Sequence, residues 1–414
     1  MRHAGRDDDR HDPDRQGRHP PCRAEIPAPG REDGVSERVF VVAAGATSFG
    51  PMPDVDGHEL ARQAVCAALE SSGIDPAEIG IACAGHAYQG PCFGQKALMK
   101  IGLTGIPIVN VENACASGAT AVQTVVNAIR AGQAEIGLAL GAEKLTKPGG
   151  GFLPIVADDL ESSMGRVMPA AFAMIARLHM ERYGTTPEQM AGVAVKNRRN
   201  ALRNPRCHLQ KAVSVEEVLD APMIADPLTR YSCCPVSDGA AAVLIASEVA
   251  ARRLCDAPVE IAASVLNSGL RTPYGIVDDR SEMSIRAANR AYEVAGLGPE
   301  DVDVCEMHDP FTIAELVHYE DLGFCAPGEA GRMIEEGRTE IGGDVAVSPS
   351  GGLLAKGHPL GATGVAQIAE LFWQLRGEAG EYQVPGARVG LAHTVGGGVT
   401  KLESGACAVH ILTA

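Results

Sequence analysis

This chain carries the same pattern twice, and that restricts its fold more than any other feature. The run Ala67-Ala68-Leu69-Glu70-Ser71-Ser72-Gly73-Ile74-Asp75-Pro76-Ala77-Glu78-Ile79 reads as a helix ended by glycine, a proline turn and the start of a buried strand. Arg290-Ala291-Tyr292-Glu293-Val294-Ala295-Gly296-Leu297-Gly298-Pro299-Glu300-Asp301-Val302 repeats that order. Further along, Cys115-Ala116-Ser117-Gly118-Ala119-Thr120 and His358-Pro359-Leu360-Gly361-Ala362-Thr363 each open a helix. Both place a chemically capable side chain three positions before Gly-Ala-Thr. Several matched elements in one order indicate duplication rather than chance in an Ala/Gly-rich chain. Copies related by a pseudo-two-fold axis bring equivalent helix starts together, so Cys115 and His358 are expected to face one another.

Between these landmarks, short apolar runs alternate with longer Ala-rich stretches, the α/β signature. Strands are predicted at 39–44, 79–84, 107–111, 136–141, 302–307 and 389–392. Helices are predicted at 58–72, 117–131, 170–183 and 187–198. The organisation expected is a tail at 1–34, a first half at 35–255 and a second half at 256–414. An irregular insertion at about 145–235, containing Gly149-Gly150-Gly151, interrupts the first half and reads as a cap. The tail holds seven Arg and eight Asp+Glu with almost no large apolar side chain, so ordering it would cost more than burial returns. It has neither the apolar core of a signal peptide nor the acid-poor composition of a transit peptide.

Composition excludes several classes. Lys and Arg number 36 against 52 Asp and Glu, a net charge of −16, and aromatics are only 4%. That is the wrong balance for a nucleic-acid binder, which needs basic patches and stacking rings. No apolar run reaches the roughly 18–20 residues of a membrane helix, so a soluble protein is expected. The 12 cysteines show no Cys-x-x-Cys spacing, and no His-Glu-x-x-His occurs. Metal and disulfides are therefore poor readings, and a reducing, cytoplasmic setting is expected.

Cys115 lies in Asn113-Ala114-Cys115-Ala116-Ser117-Gly118 at a helix start, where unpaired amides favour a thiolate. Its small neighbours leave room for substrate, which favours a nucleophile over a packed core thiol. His358, between Gly357 and Pro359, is presented on a loop and is the natural base beside Cys115. His308, in Glu306-Met307-His308-Asp309-Pro310-Phe311, follows a strand where α/β sites form; a satisfied loop histidine is as good a reading. His393-Thr394-Val395-Gly396-Gly397-Gly398 is read as following strand 389–392, its glycines able to offer N–H groups to an oxyanion. Cys233-Cys234 reads as structural.

Together these residues resemble the thiolase superfamily, and within it the sterol-carrier-protein type. The similar segments are Asn113-Ala-Cys115-Ala-Ser-Gly118, Cys233-Cys-Pro-Val-Ser-Asp-Gly-Ala-Ala-Ala242, His308-Asp-Pro-Phe311, Ser350 through Thr363, and Trp373 through Gly380. They run in family order over 38–414. The resemblance implies a five-layered αβαβα fold of two similar halves with an inserted loop domain, usually a homodimer. It implies acylation of Cys115 by an acyl-CoA, activation by His358, and His308 holding a water or substrate oxygen. It also implies that the N–H groups of Cys115 and Gly396 form a second oxyanion site, with coenzyme A beneath the insertion. No resident cofactor or metal is expected; CoA thioesters are substrates.

One departure is chemical. Thiolases use a second cysteine to move the proton on the α-carbon of the acyl acceptor, and here Pro310 and Thr394 stand at its family positions. Either His393 or His358 takes over, or the reaction differs. Acyl transfer through Cys115 leads. A retro-aldol lyase acting on a β-hydroxyacyl-CoA with a small CoA-binding partner protein, and a non-catalytic acyl-CoA scaffold, are the alternatives. An NAD-dependent dehydrogenase is weakest, because Ala44-Gly45-Ala46-Thr47 replaces its glycine fingerprint.

Overall fold

Strand β1 (Val39–Ala46) shows how one sheet serves two layers. Val39 and Val41 join one apolar cluster, while Phe40 and Val42 join another on the opposite face. A strand buried on both faces needs helices on both sides. The computed structural model describes residues 38–146, 163–165, 167–270, 279–397 and 405–414. The 1–34 tail, the Gly149-Gly150-Gly151 run and Gly398 lie outside them.

The duplication is plain in the topology. The first half supplies β1, β2 (Ile81–Gly85), β3 (Ile108–Val111), β4 (Ile136–Glu143) and β7 (Gly239–Ser247), after a small hairpin, β5 (Met223–Ala225) and β6 (Leu228–Thr229). The second half supplies β8 (Val259–Asn267), β9 (Val304–Glu306), β10 (Ala346–Val347), β11 (Val389–Gly396) and β12 (Ala406–Thr413). The sheet order is β10-β9-β11-β12-β8-β1-β7-β4-β2-β3. Reading outward from the β1–β8 seam, each half has two antiparallel pairings followed by two parallel ones. The seam itself is thin: only Phe40↔Glu260 and Val41↔Val259 pair across it.

Helices complete the layers. In chain order they are α1 (Gly57–Ser72), α2 (Phe93–Met99), α3 (Ser117–Arg130), α4 (Met168–Tyr183), α5 (Pro187–Ala201), α6 (Val215–Leu219), α7 (Glu248–Leu254), α8 (Glu282–Ala295), α9 (Thr312–Asp321), α10 (Ala330–Glu335) and α11 (Leu360–Leu375). α3 and α11 share one apolar cluster with strands of both halves. α1, α2 and α7 cover the outer face of the first half, and α8 and α9 that of the second. The result is the expected αβαβα stack. α11 buries every residue except Trp373, its polar Thr363, Gln367, Glu370 and Gln374 included, as befits a helix enclosed on all sides.

The two Gly-Ala-Thr repeats meet in this middle layer. A β-carbon on Gly118 would lie 2.5 Å from Gly361 O, and one on Gly364 2.3 Å from Ala119 N. Only glycine allows backbones this close. The insertion runs from β4 to β7 and packs on the second half: Phe172 of α4 stacks on Phe311 with ring centroids 4.5 Å apart, and Met190 and Val193 of α5 enter the same cluster.

Candidate active site

The candidate nucleophile sits on a tight turn. Cys115 lies in a single 3₁₀ turn, Ala114–Ala116, between β3 and α3, and Ala114 has φ +48°, a costly conformation for a residue with a β-carbon. Ser117 Oγ closes the turn, donating to Ala114 O at 2.6 Å and accepting from Asn113 N–H at 2.9 Å. Gly396 holds it from the other half: a β-carbon there would lie 2.1 Å from Asn113 O. Cys115 is half-buried.

The candidate base arrives on the loop before α11. Two buried carboxylates pin that loop. Glu306 accepts from Ser350 N–H and Oγ–H at 3.1 and 2.7 Å, and Asp309 accepts from Leu353 N–H at 2.8 Å. Asn197 of α5 donates to Asp309 and to Glu315, each at 2.7 Å. The insertion, the His308 motif and the His358 loop thus share one hydrogen-bond network. His358 Nδ1 lies 2.8 Å from Thr363 Oγ1, whose own proton goes to Pro359 O at 3.0 Å. Thr363 therefore accepts, Nδ1 carries the hydrogen, and Nε2 keeps its lone pair. That Nε2 is buried without a hydrogen-bond partner.

Cys115, His308 and His358 converge as expected: one donor atom from each lies within 4.8 Å of the other two. The imidazoles of His308 and His358 meet edge-on with centroids 5.2 Å apart, and His308 Nε2 is likewise buried and unpartnered. The sequence expectation of a stabilised thiolate is corrected. Burial pushes the Cys115 thiol up to about 12, helped by the Glu143 and Glu112 carboxylates and opposed by the Gly397 and Cys115 N–H groups. Burial also pushes His358 down to about 3, and His308 well below its usual value, the latter aided by His358, His318 and His393. The resting pair is thus neutral thiol and neutral imidazole, and the thiol loses its proton as it attacks.

The sequence also misplaces His393. β11 extends through Gly396, so His393 lies within the strand rather than after it. Its Nε2 lies 3.0 Å from Ser284 Oγ of α8, and its ring packs on His318 of α9 at 4.5 Å, while Thr394, on the alternate face, donates to Gln367 of α11. His393 thus belongs to the outer layer behind the site. Gly396 stands where expected, but the N–H aimed at Cys115 is that of Gly397.

Two residues escaped the sequence reading. Glu143, the last residue of β4, is fully buried. It accepts from the N–H groups of Ala87 (2.8 Å), Tyr88 (2.9 Å) and Gly361 (3.0 Å), and from Gln89 Nε2 (2.7 Å), tying the start of α11 to the first half. An acid ending an otherwise apolar strand was the available signal. Cys234 is the other: its N–H donates to Pro310 O at 2.9 Å, beside a bridge between Cys233 and Phe311.

A duplicated α/β fold that brings a thiol and a lone-pair imidazole together from opposite halves is suited to acyl transfer through a cysteine thioester. Two family models agree: "Thiolase, N-terminal domain" matches residues 39–249 and "Thiolase C-terminal domain-like" matches 279–407. The chain belongs to the thiolase family. It is 41% identical to an acetyl-CoA acetyltransferase of Methanothermobacter thermautotrophicus over 91% of this chain and 99% of that one. It is also 41% identical to sterol carrier protein 2 of Bos taurus, over 87% of this chain and 70% of that one. Among solved structures it resembles the Ltp2-ChsH2(DUF35) aldolase, with TM-score 0.80 and 26% identity, covering 91% of this chain and 98% of that one.

Proposed function

We propose that the chain is an acyl-CoA-dependent acyltransferase that forms an acyl thioester on Cys115 and passes the acyl group to CoA or to another acceptor. The convergence of Cys115, His308 and His358 within 4.8 Å carries this reading. His358 Nε2 takes the thiol proton as sulfur adds to the thioester carbonyl. His308, with the N–H groups of Cys115 and Gly397, is assigned to developing oxyanions. CoA leaves as the adduct collapses, and the acceptor reverses the sequence. CoA thioesters are substrates here, and no resident cofactor is assigned. Intact-mass analysis after incubation with acyl-CoA should show an acyl adduct that Cys115→Ala abolishes; an adduct surviving in that variant overturns the reading.

A retro-aldol lyase is the second reading, favoured by the likeness to the Ltp2-ChsH2(DUF35) aldolase. We assign a small CoA-binding partner to that case. Release of an aldehyde or ketone from a β-hydroxyacyl-CoA by Cys115→Ala would select it. A homodimer in a reducing cytoplasm completes the proposal: the described cysteines are all free, and no described helix is long and apolar enough to cross a membrane. Light scattering on the purified protein reads the oligomeric state.

A further inference from the structure

Cleaving or forming a carbon–carbon bond next to a thioester carbonyl requires a second proton carrier, apart from the base that serves the nucleophile. A departing α-carbon takes a proton as it leaves; an attacking one must lose a proton first. His358 Nε2 is committed to Cys115. Pro310 has no proton to give, and Thr394 spends its hydroxyl on Gln367. His393 is turned to Ser284 and His318 in the layer behind the site. Cys233, the neighbour of Cys234, donates its thiol to Thr229 O at 3.4 Å.

Cys234 is differently placed. Its backbone is hydrogen-bonded to Pro310 two residues beyond His308, and the Cys233–Phe311 bridge fixes that register. The residue is half-buried rather than sealed in the core. Burial, and then charge on Cys233, Cys115 and Asp309, holds its thiol protonated. The segment it pairs with leads directly from His308, whose Nε2, like that of His358, is buried without a hydrogen-bond partner.

We propose that Cys234 is the second acid–base group of this site, supplying and recovering the proton on the α-carbon of the acyl acceptor. This rests on acyl transfer at Cys115. In the cleavage direction, His358 takes the Cys115 proton as sulfur adds to the β-carbonyl. The carbon–carbon bond then breaks, and its electron pair takes the proton of Cys234, leaving a Cys234 thiolate and acyl-Cys115. Incoming CoA gives its thiol proton to Cys234 and attacks the acyl-Cys115 carbonyl. The Cys115 sulfur leaves and recovers its proton from His358. Both cysteines end as they began, and no oxidant or reductant enters.

The test is deuterium exchange at the α-carbon of propanoyl-CoA in heavy water, read by mass spectrometry, beside acylation of Cys115 in the same protein. Cys234→Ala and the nearly isosteric Cys234→Ser should still carry the acyl group on Cys115 after prolonged incubation, because a CoA thiolate can leave without first taking a proton. Both should lose α-exchange by roughly a hundredfold or more, the scale of a deleted acid–base group, while Cys233→Ala keeps it. Exchange within threefold of wild type in either Cys234 variant overturns the proposal, as does a wild-type enzyme that acylates without exchanging. Failure of wild-type acylation with exchange still dependent on Cys234 would instead remove the acyl-transfer reading.

Discussion

Gly118 and Gly361, each three positions past a reactive side chain, lie so close that a β-carbon on the first would sit 2.5 Å from the carbonyl oxygen of the second. The site is built on this crossing of α3 and α11. With Cys115 rising from one helix start and His358 from the other, every ångström of helix separation becomes an ångström between thiol and imidazole.

Substituting at the crossing should therefore cost both stability and rate. In Gly361→Ala the new methyl would meet Gly85 O at 2.6 Å and Ala142 O at 2.7 Å, and backbone cannot swing aside as a side chain can. A loss of about 1–3 kcal/mol is expected in urea unfolding. Acylation of the folded fraction should fall as well, because a misplaced reacting pair is slow.

His358→Ala should lower Cys115 acylation by about 10²–10⁴. The thiol is pushed up to about 12, so residual activity depends on free thiolate and should climb nearly tenfold per pH unit from 7 to 9. Wild type should be flatter over that range. Stopped-flow release of CoA at several pH values distinguishes the two slopes.

Thr363→Val keeps the shape but removes the acceptor for His358 Nδ1–H. An unsatisfied buried donor costs about 1–3 kcal/mol, and the ring can turn or change tautomer to escape it. Acylation should drop roughly tenfold, while Thr363→Ser should retain most of the rate.

Glu143→Gln leaves one acceptor oxygen where two carboxylate oxygens receive four donors. Its new amide would also aim N–H at N–H. A loss of about 2–4 kcal/mol is expected, by analogy with breaking other buried charge-assisted networks. The chemical shift or hydrogen exchange of the Gly361 amide would show whether the start of α11 loosens first.

Acid should destabilise the fold well before carboxylates dominate. His358 is held near 3 and His410 near 4, each by burial, against an unfolded value of 6.5. The unfolded chain therefore binds more protons between those limits, so stability is full above 6.5 and is lost as pH falls toward 4. The slope is roughly 1 kcal/mol per pH unit for each such histidine. Glu306, which burial holds up to about 7, acts with the opposite sign over this range, so the readout is a difference: the change in melting temperature from pH 6.5 to 4.5 should be more negative in wild type than in His410→Gln, a substitution on β12 away from Cys115 and His358.

The repeat made the fold and the meeting of Cys115 with His358 legible, because Gly-Ala-Thr at equal offsets in two copies is a statement about symmetry. The β11 boundary was missed for a local reason. A histidine followed by threonine and glycines looks like loop, whereas burial against Ser284 and His318 keeps it in the strand. Cys234 could not be singled out because its significance is tertiary: nothing in Cys-Cys-Pro announces that its amide reaches Pro310, 76 positions away. The thiol's resting state was misjudged because helix-end amides are visible in sequence, while desolvation and the approach of Glu143 are not.

The β1–β8 seam joins the halves by two residue pairs alone, leaving the helices and Glu143 to hold them in register. Reactive groups split across so narrow a joint make catalysis a gauge of assembly. Because α3 and α11 pack in one apolar cluster with strands of both halves, rotation of one copy against the other would disturb that common core and separate Cys115 from His358 together, so loss of rate and loss of cohesion between the halves should appear side by side.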